Sequence, residues 1–433
     1  MWKRPLTILV LAACSMAQQQ PAKNLLELSA EGQKAYREGR YQDYHHIAEQ
    51  LQQIAPNHTQ VLWAVARANA RVGNVEKAIA TLSRLAEMGA YFDAAGSPDL
   101  EPLRERHDSK QVMARMDALQ KPVANSAVAF TISDRELIPE SIAYDPKDGG
   151  FFVGSIYKRA IVKRTKDARV KEFVPSARHG LGGVLGIKLD VKRRELWANA
   201  CNLGKQMSMS PPDAANEGEA AIYRFNADTG KLIRKYQVGT KDAPQCVNDL
   251  VISPANGDVF ATGGKSPLEG HILRVANGGD SAEVFFTPEG SGHGFNGITI
   301  SDDGKTLYLA DNIHGVMAVD IASRRGRLLE APANTAMEQI DGLYFYRGSL
   351  VAVQNARSLM RVAQFTLDAT SGRVTGHRTL ERNNPHFTVP TTGVVVGDEL
   401  YYVANTELDA LNPEGGLKGT PKEPVILKVK LGE

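Results

Sequence analysis

The sequence predicts a mainly β protein: a six-bladed β-propeller over residues 127–433, preceded by a small α-helical domain over residues 25–120. Two observations carry this. One hairpin pattern recurs six times in the C-terminal part of the chain, and a weaker self-similarity with an offset of 34 residues runs through the part before it.

The clearest hairpin is FNGITISDDGKTLYLAD, Phe295 to Asp311. Ile298 and Ile300 alternate with polar residues up to Ser301-Asp302-Asp303-Gly304, and Leu307-Tyr308-Leu309 follow. Alternating apolar residues on both sides of an Asp-Gly turn are a strong local hairpin signal. Equivalent hairpins start at Ile142, Ile187, Leu250, Ile298, Leu343 and Val394, spaced 45 to 63 residues apart; the last two are two residues shorter in the turn. Further strands follow most of them, at Ala221–Phe225, His271–Val275, Val316–Val319 and Val425–Val429, with a fourth at Lys231–Val238 and Ala282–Phe286. A period of this length with four strands per unit is what a propeller blade requires. The lone strand Ala127–Ile132 before the first blade is expected to complete the sixth blade, whose own strands run out near Leu431, and so to close the ring.

Aligning the six copies exposes a second regularity. Two residues before each start stand Glu140, Leu185, Asn248, Asn296, Asp341 and Thr392. The first strand of a blade lines the central channel, so these residues form a ring at one depth. Two carboxylates and two amides, with Thr392 as a further oxygen, make an all-oxygen set with a charge of about −2, suited to Ca²⁺ first and to Mg²⁺, Mn²⁺ or Zn²⁺ as alternatives. Asn-Gly and Asp-Gly pairs also mark turns leading into strands. That explains Asn296-Gly297 and Asp341-Gly342 singly, but not four oxygen side chains at one repeat position.

IPESIAY, CVNDLVIS, FNGITISDDGKTLYLAD and IDGLYFY together resemble the SMP-30/gluconolactonase family of six-bladed propellers, more distantly related to paraoxonases; the resemblance covers residues 125–433. It implies a metal held by Glu140, Asn248, Asn296 and Asp341, and Asp341 as both ligand and general base. Members acting on sugar lactones commonly carry an Arg two residues before the third-blade Asn. Here that position is Cys246, which leaves the metal site in place and the sugar-lactone substrate open.

Before the propeller, Trp2-Lys3-Arg4 and the apolar run Leu6–Ala13 read as an export signal over residues 1–17, too short to span a bilayer. Leu11-Ala12-Ala13-Cys14 resembles a lipobox, with Cys14 lipidated; cleavage after Ser15-Met16-Ala17 is the competing reading. Either predicts an exported protein, periplasmic or lipid-anchored to a bacterial envelope, with membrane contact only through Cys14. In residues 25–120, Gly39 aligns with Gly73 and Leu51 with Leu85 at the offset of 34, which resembles tetratricopeptide repeats. So few repeats are expected to pack on the propeller or on a protein partner. His45-His46 reads as a solvated or inter-helix pair.

Charge is balanced, 51 basic against 49 acidic residues, so nothing points to nucleic acid. No G-x-S-x-G or C-x-x-C motif occurs, and the single G-x-G-x-x-G match, Gly292 to Gly297, leads into a hairpin strand rather than from a strand into a helix, so it is no dinucleotide loop. The chemistry-bearing residues near the ring are His293, three residues before Asn296, as an acid–base group, and His179, Cys246, Asp311 and Thr392 around the pocket. Each His also reads as a loop hydrogen-bonder, and for His179 that is the favoured reading. The inserted loop Cys201–Glu219, the glycine loop His179–Gly183 and Asn383–Pro390 should emerge on the face of the ring and wall the pocket. Cys201 and Cys246 should share that face in adjacent blades, where a disulfide is sterically plausible. Two functions compete: a Ca²⁺-dependent hydrolase of a lactone or related ester, and a non-catalytic exported scaffold with a structural cation and helical repeats for a partner.

Overall fold

In the computed structural model, which describes residues 25–432 apart from 203, 205–207, 267, 291 and 371, each repeated hairpin forms the two innermost strands of a four-stranded antiparallel sheet. The signal segment and Cys14 lie outside the described residues. The innermost strands are Pro139–Asp145, Gly183–Asp190, Cys246–Ile252, Phe295–Ile300, Ile340–Tyr346 and Gly393–Val396, one for each of six blades. The sixth blade is built from both ends of the propeller. Ala127–Thr131 pairs with Val425–Lys430 as its outermost strand, Ala127 opposite Lys428 and Thr131 opposite Val425. Closure by a strand from the far end removes the sheet edge that an open ring would leave.

The core of the propeller lies between blades. Phe152 and Val174 of blade one meet Ile187 and Leu196 of blade two, Phe260 and Ile272 of blade three meet Ile298 and Leu309 of blade four, and Phe130 and Ile426 meet Ile142 and Val153 across the closure. The alternation read in the sequence places these side chains on the two faces of each sheet. Burying each Leu, Ile, Val or Phe contributes roughly 1.5–3 kcal/mol.

Among the described residues there are five α-helices: α1 (Leu25–Arg37), α2 (Tyr41–Ile54), α3 (Thr59–Arg71), α4 (Val75–Glu87) and α5 (His107–Ala118). α3 starts 34 residues after α1, and α4 starts 34 after α2. The turn after the first helix of each pair is made by Gly39 and Gly73, at φ of 72° and 82°, a region open to glycine at little cost. None of these helices is long and apolar enough to cross a membrane.

Of the two placements open to the helical layer, the structure has it packed on the propeller, over blades four and five. Leu62, Met88 and Leu103 share a cluster with Ala336 and Leu359, and Leu51, Val61 and Val65 surround Ile313. Polar contacts fix the orientation. The Glu338 carboxylate accepts the Thr59 backbone N–H at 2.9 Å and so caps the start of α3. Arg361 is fully buried and donates to Met88 O and Ala336 O, each at 3.1 Å, and to Gln354 Oε1 at 2.8 Å. Burial lowers its guanidinium only to about 10, so it stays charged at neutral pH.

Candidate functional site

The ring positions coincide with irregularities in the strands. Pairing between the two innermost strands slips across Pro139/Ser141, Val184/Ile187, Val247/Leu250, Phe295/Ile298 and Ile340/Gly342. Glu140, Leu185, Asn248, Asn296 and Asp341 each sit inside one of these slips. A bulge leaves a residue unpaired and re-aims its side chain. The repeat position that alignment picks out is therefore a bulge repeated in five blades. In the sixth, Thr392 immediately precedes the strand.

The glycines beside the ring serve close approach rather than turning. A Cβ on Gly297 would stand 2.4 Å from Asp341 O, and one on Gly186 2.6 Å from Asn248 O. At these two places neighbouring innermost strands approach backbone to backbone beside the ring positions.

Glu140 and Asp341 are buried, at 5% and 4% exposure, and each leaves one carboxylate oxygen without a hydrogen-bond partner, Oε2 and Oδ1 respectively. Asn296 Oδ1 and Asp249 Oδ2 are buried and unpartnered in the same way. Asp341 Oδ2 accepts from Asn355 Nδ2 at 2.7 Å. Burial pushes the Asp341 carboxyl up to about 7; the Asp249 charge adds to this, while hydrogen bonds from Asn296 and Asn355 hold it back. Glu140 is pushed well above the usual carboxylate range, first by burial and then by the Asp341 and Asp249 charges. The Tyr344 phenol, fully enclosed and also acted on by these three carboxylates, is raised as well.

Asp249 had no place in the ring read from the sequence. It is fully buried beside Asn248, and Lys188 Nζ reaches its Oδ1 at 2.9 Å. Three carboxylates, Glu140, Asp249 and Asp341, against the one Lys188 ammonium leave a formal −2. Its signal was present in the Asn-Asp pair, but a bulge was needed to bring consecutive residues to one site. Leu185 instead joins the apolar cluster of blades two and three. Thr392 Oγ1 donates to the Glu140 backbone O at 2.9 Å, as does Thr391 Oγ1, so these hydroxyls anchor the strand carrying Glu140.

Asn248 also lines a cleft of about 890 Å³ on the face where the inserted loop emerges, with Cys246, Gln245, Lys241, Lys265 and Phe295 around it. Cys201 and Cys246 form a disulfide, Cα–Cα 5.2 Å, that ties the base of the loop after Cys201 to blade three at the cleft wall. His179 is exposed, in a left-handed turn at φ 60°, and is not among the residues lining the cleft.

His293 and Asp311 lie together at the rim of blade four. His293 Nδ1 is 2.6 Å from Asp311 Oδ2. Asp311 is fully buried; its Oδ1 accepts the backbone N–H groups of Ile313 and His314 at 3.0 and 3.1 Å. Burial alone would raise this carboxyl, but the hydrogen bonds from His293 and His314 outweigh it and hold the group down at about 2. His314, which sequence reasoning passed over, faces the same carboxylate, with Nδ1 3.3 Å from both oxygens.

Comparison with solved structures finds likenesses at low sequence identity. A gluconolactonase from Xanthomonas campestris is 16% identical, covering 73% of this chain and 93% of its own, with a TM-score of 0.46. A calcium-binding regucalcin from Agrobacterium tumefaciens is 17% identical, covering 72% and 98%, at 0.47. A Thermus thermophilus protein described as a glucose dehydrogenase is 15% identical, covering 71% and 100%, at 0.49. No protein-family model matches the chain, and no curated protein sequence matches it.

Proposed function

We propose that this protein is a divalent-cation-dependent hydrolase of a lactone or related ester, with the cation, Ca²⁺ by its ligand chemistry, held on the propeller axis by Glu140, Asn248, Asn296 and Asp341. The observation that carries the reading is the set of orphaned buried oxygens on Glu140, Asn296, Asp341 and Asp249, in a pocket whose formal charge is −2. Buried oxygens without donors are costly unless something fills the gap. An all-oxygen set of this charge fits a hard divalent ion.

A cation there would polarise a substrate carbonyl and ease ionisation of water. The chain supplies the rest. Asp341, oriented by the Asn355 amide, can take a proton near neutral pH. Asn248 joins the ring to the cleft, so a substrate seated against Cys246 and Phe295 would present its ester beside the ring. Lys188 neutralises Asp249 and keeps the pocket from holding a third free negative charge. The Cys201–Cys246 disulfide supports an exported protein, because such bonds persist in oxidising compartments.

The test is a panel of lactones and esters assayed with EDTA and again after Ca²⁺ is restored. Turnover that EDTA abolishes and Ca²⁺ recovers is expected. No cation-dependent turnover on any member would overturn the hydrolase reading and favour the scaffold.

A further inference from the structure

We propose that His293, Asp311 and His314 form a second metal site, independent of the axial ring and selective for a borderline cation such as Zn²⁺. Its donor atoms, one from each residue, all lie within 4.8 Å of one another. The two imidazole rings are tilted together with centroids 4.6 Å apart, both against the one carboxylate. Tetrahedral Zn²⁺ with bonds of about 2.0–2.1 Å separates its donors by about 3.3 Å. The His314–Asp311 separation of 3.3 Å already matches this, and the 2.6 Å His293–Asp311 pair has to open by about 0.7 Å to reach the same spacing.

The chemistry separates this site from the ring. Two imidazoles and a carboxylate are borderline donors that favour Zn²⁺ over Ca²⁺, whereas the ring offers oxygen alone. Asp311 is pre-set for ligation: backbone N–H groups of Ile313 and His314 hold its Oδ1, the supporting contact expected of a ligating carboxylate. The donors come from the segment before blade four's first strand, the end of its second strand, and the turn between Asp311 and Gly315.

A third imidazole comes to the same corner from the helical layer. His58 is the N-cap residue of α3, and Glu338 and His314 are the charges that act on it. Burial favours its neutral form, and its Nδ1 is buried with no hydrogen-bond partner. An ion bound here would sit where Ile313 packs into the helices, so occupancy should stabilise the junction of helical layer and propeller.

The experiment uses the purified full chain, stripped with EDTA and then equilibrated with Zn²⁺ in the presence of excess Ca²⁺. Metal analysis after gel filtration should find one Zn²⁺ retained per chain, and Zn²⁺ should raise the Tm. His314→Ala and His293→Gln should each lose that Zn²⁺ and the Tm increase. Asp341→Asn, in the axial ring, should retain both, which separates this proposal from the hydrolase reading. Co²⁺ in place of Zn²⁺ should give tetrahedral visible absorption in the parent chain and not in His293→Gln; that variant keeps the test open if His314→Ala does not fold. Retention of no Zn²⁺ by the parent chain, or equal retention by both His variants, would overturn the proposal.

Discussion

Replacing Asp341 by Asn tests the axial pocket without relying on any substrate. In the folded protein its carboxyl is pushed from 3.8 to about 7, mainly by burial. The unfolded chain releases this proton near pH 4, whereas the folded protein keeps it until about pH 7. The folded state therefore binds the extra proton, and stability falls as pH rises through that window. The displacement from 3.8 to about 7 corresponds to about 4 kcal/mol at about 1.4 kcal/mol per pH unit. Urea unfolding in EDTA should show the parent chain losing about 4 kcal/mol relative to Asp341→Asn between pH 4 and pH 8. Glu140 is displaced in the same direction, so the variant keeps some pH dependence, and the difference between the two curves is the quantity to read. Ca²⁺ at about 100 times its Kd should restore about 2.7 kcal/mol to the parent at pH 8 and less to the variant. Parallel pH profiles for the two proteins in EDTA would refute the argument, because the carboxylate would then not be confined without a counter-charge.

Other perturbations reach the same pocket by different routes. Asp341→Ala should abolish turnover even at high Ca²⁺, while Asn248→Ala, which removes a dipole rather than a charge, should be partly rescued; Ca²⁺ titrations of both, followed by initial rates, check this. Lys188→Met leaves buried Asp249 without its ion pair and should cost about 3–5 kcal/mol in the Ca²⁺-free protein, read by urea unfolding. Gly297→Ala places a Cβ 2.4 Å from Asp341 O; spreading the strands should cost roughly 1–3 kcal/mol and weaken Ca²⁺ binding measured by calorimetry. Cys246→Ser should lower stability by about 2–4 kcal/mol under oxidising conditions, and should leave no further loss when reductant is added.

Where local chemistry decides the structure, the sequence was readable. The six hairpins follow from alternation and turn residues within about fifteen positions, a range over which no distant contact is needed. The ring positions were legible for a related reason: a bulge recurs at the same place in five of the six innermost strands, so alignment alone collects Glu140, Asn248, Asn296 and Asp341. The helix offset of 34 likewise survives as matched helix starts. What alignment could not supply was the role of Gly297. In the sequence Asn-Gly is a turn signal; in the fold Gly297 lies inside a strand and is small because the Asp341 carbonyl passes over it.

The residues that escaped the sequence share a physical cause. Asp249 pairs with Lys188 across 61 positions, and His314 belongs with His293 only because a strand and a turn fold back on Asp311. Neither pairing leaves a periodic trace. The docking of the helices is of the same kind. Ile313 reads as one apolar residue between polar neighbours, yet it fills the gap beneath α2 and α3. Arg361 reads as a surface charge in a third strand, yet it is enclosed and satisfied by carbonyls from the helical layer and from blade five's approach. Removing those acceptors would leave much of an enclosed guanidinium unpaired, with only Nε still held by Gln354 Oε1, at a cost of several kcal/mol. The helical layer is thereby held over blades four and five, the blades that contribute Asn296 and Asp341 to the ring. That arrangement gives the N-terminal helices a structural connection to the axial pocket without any of their side chains belonging to the ring.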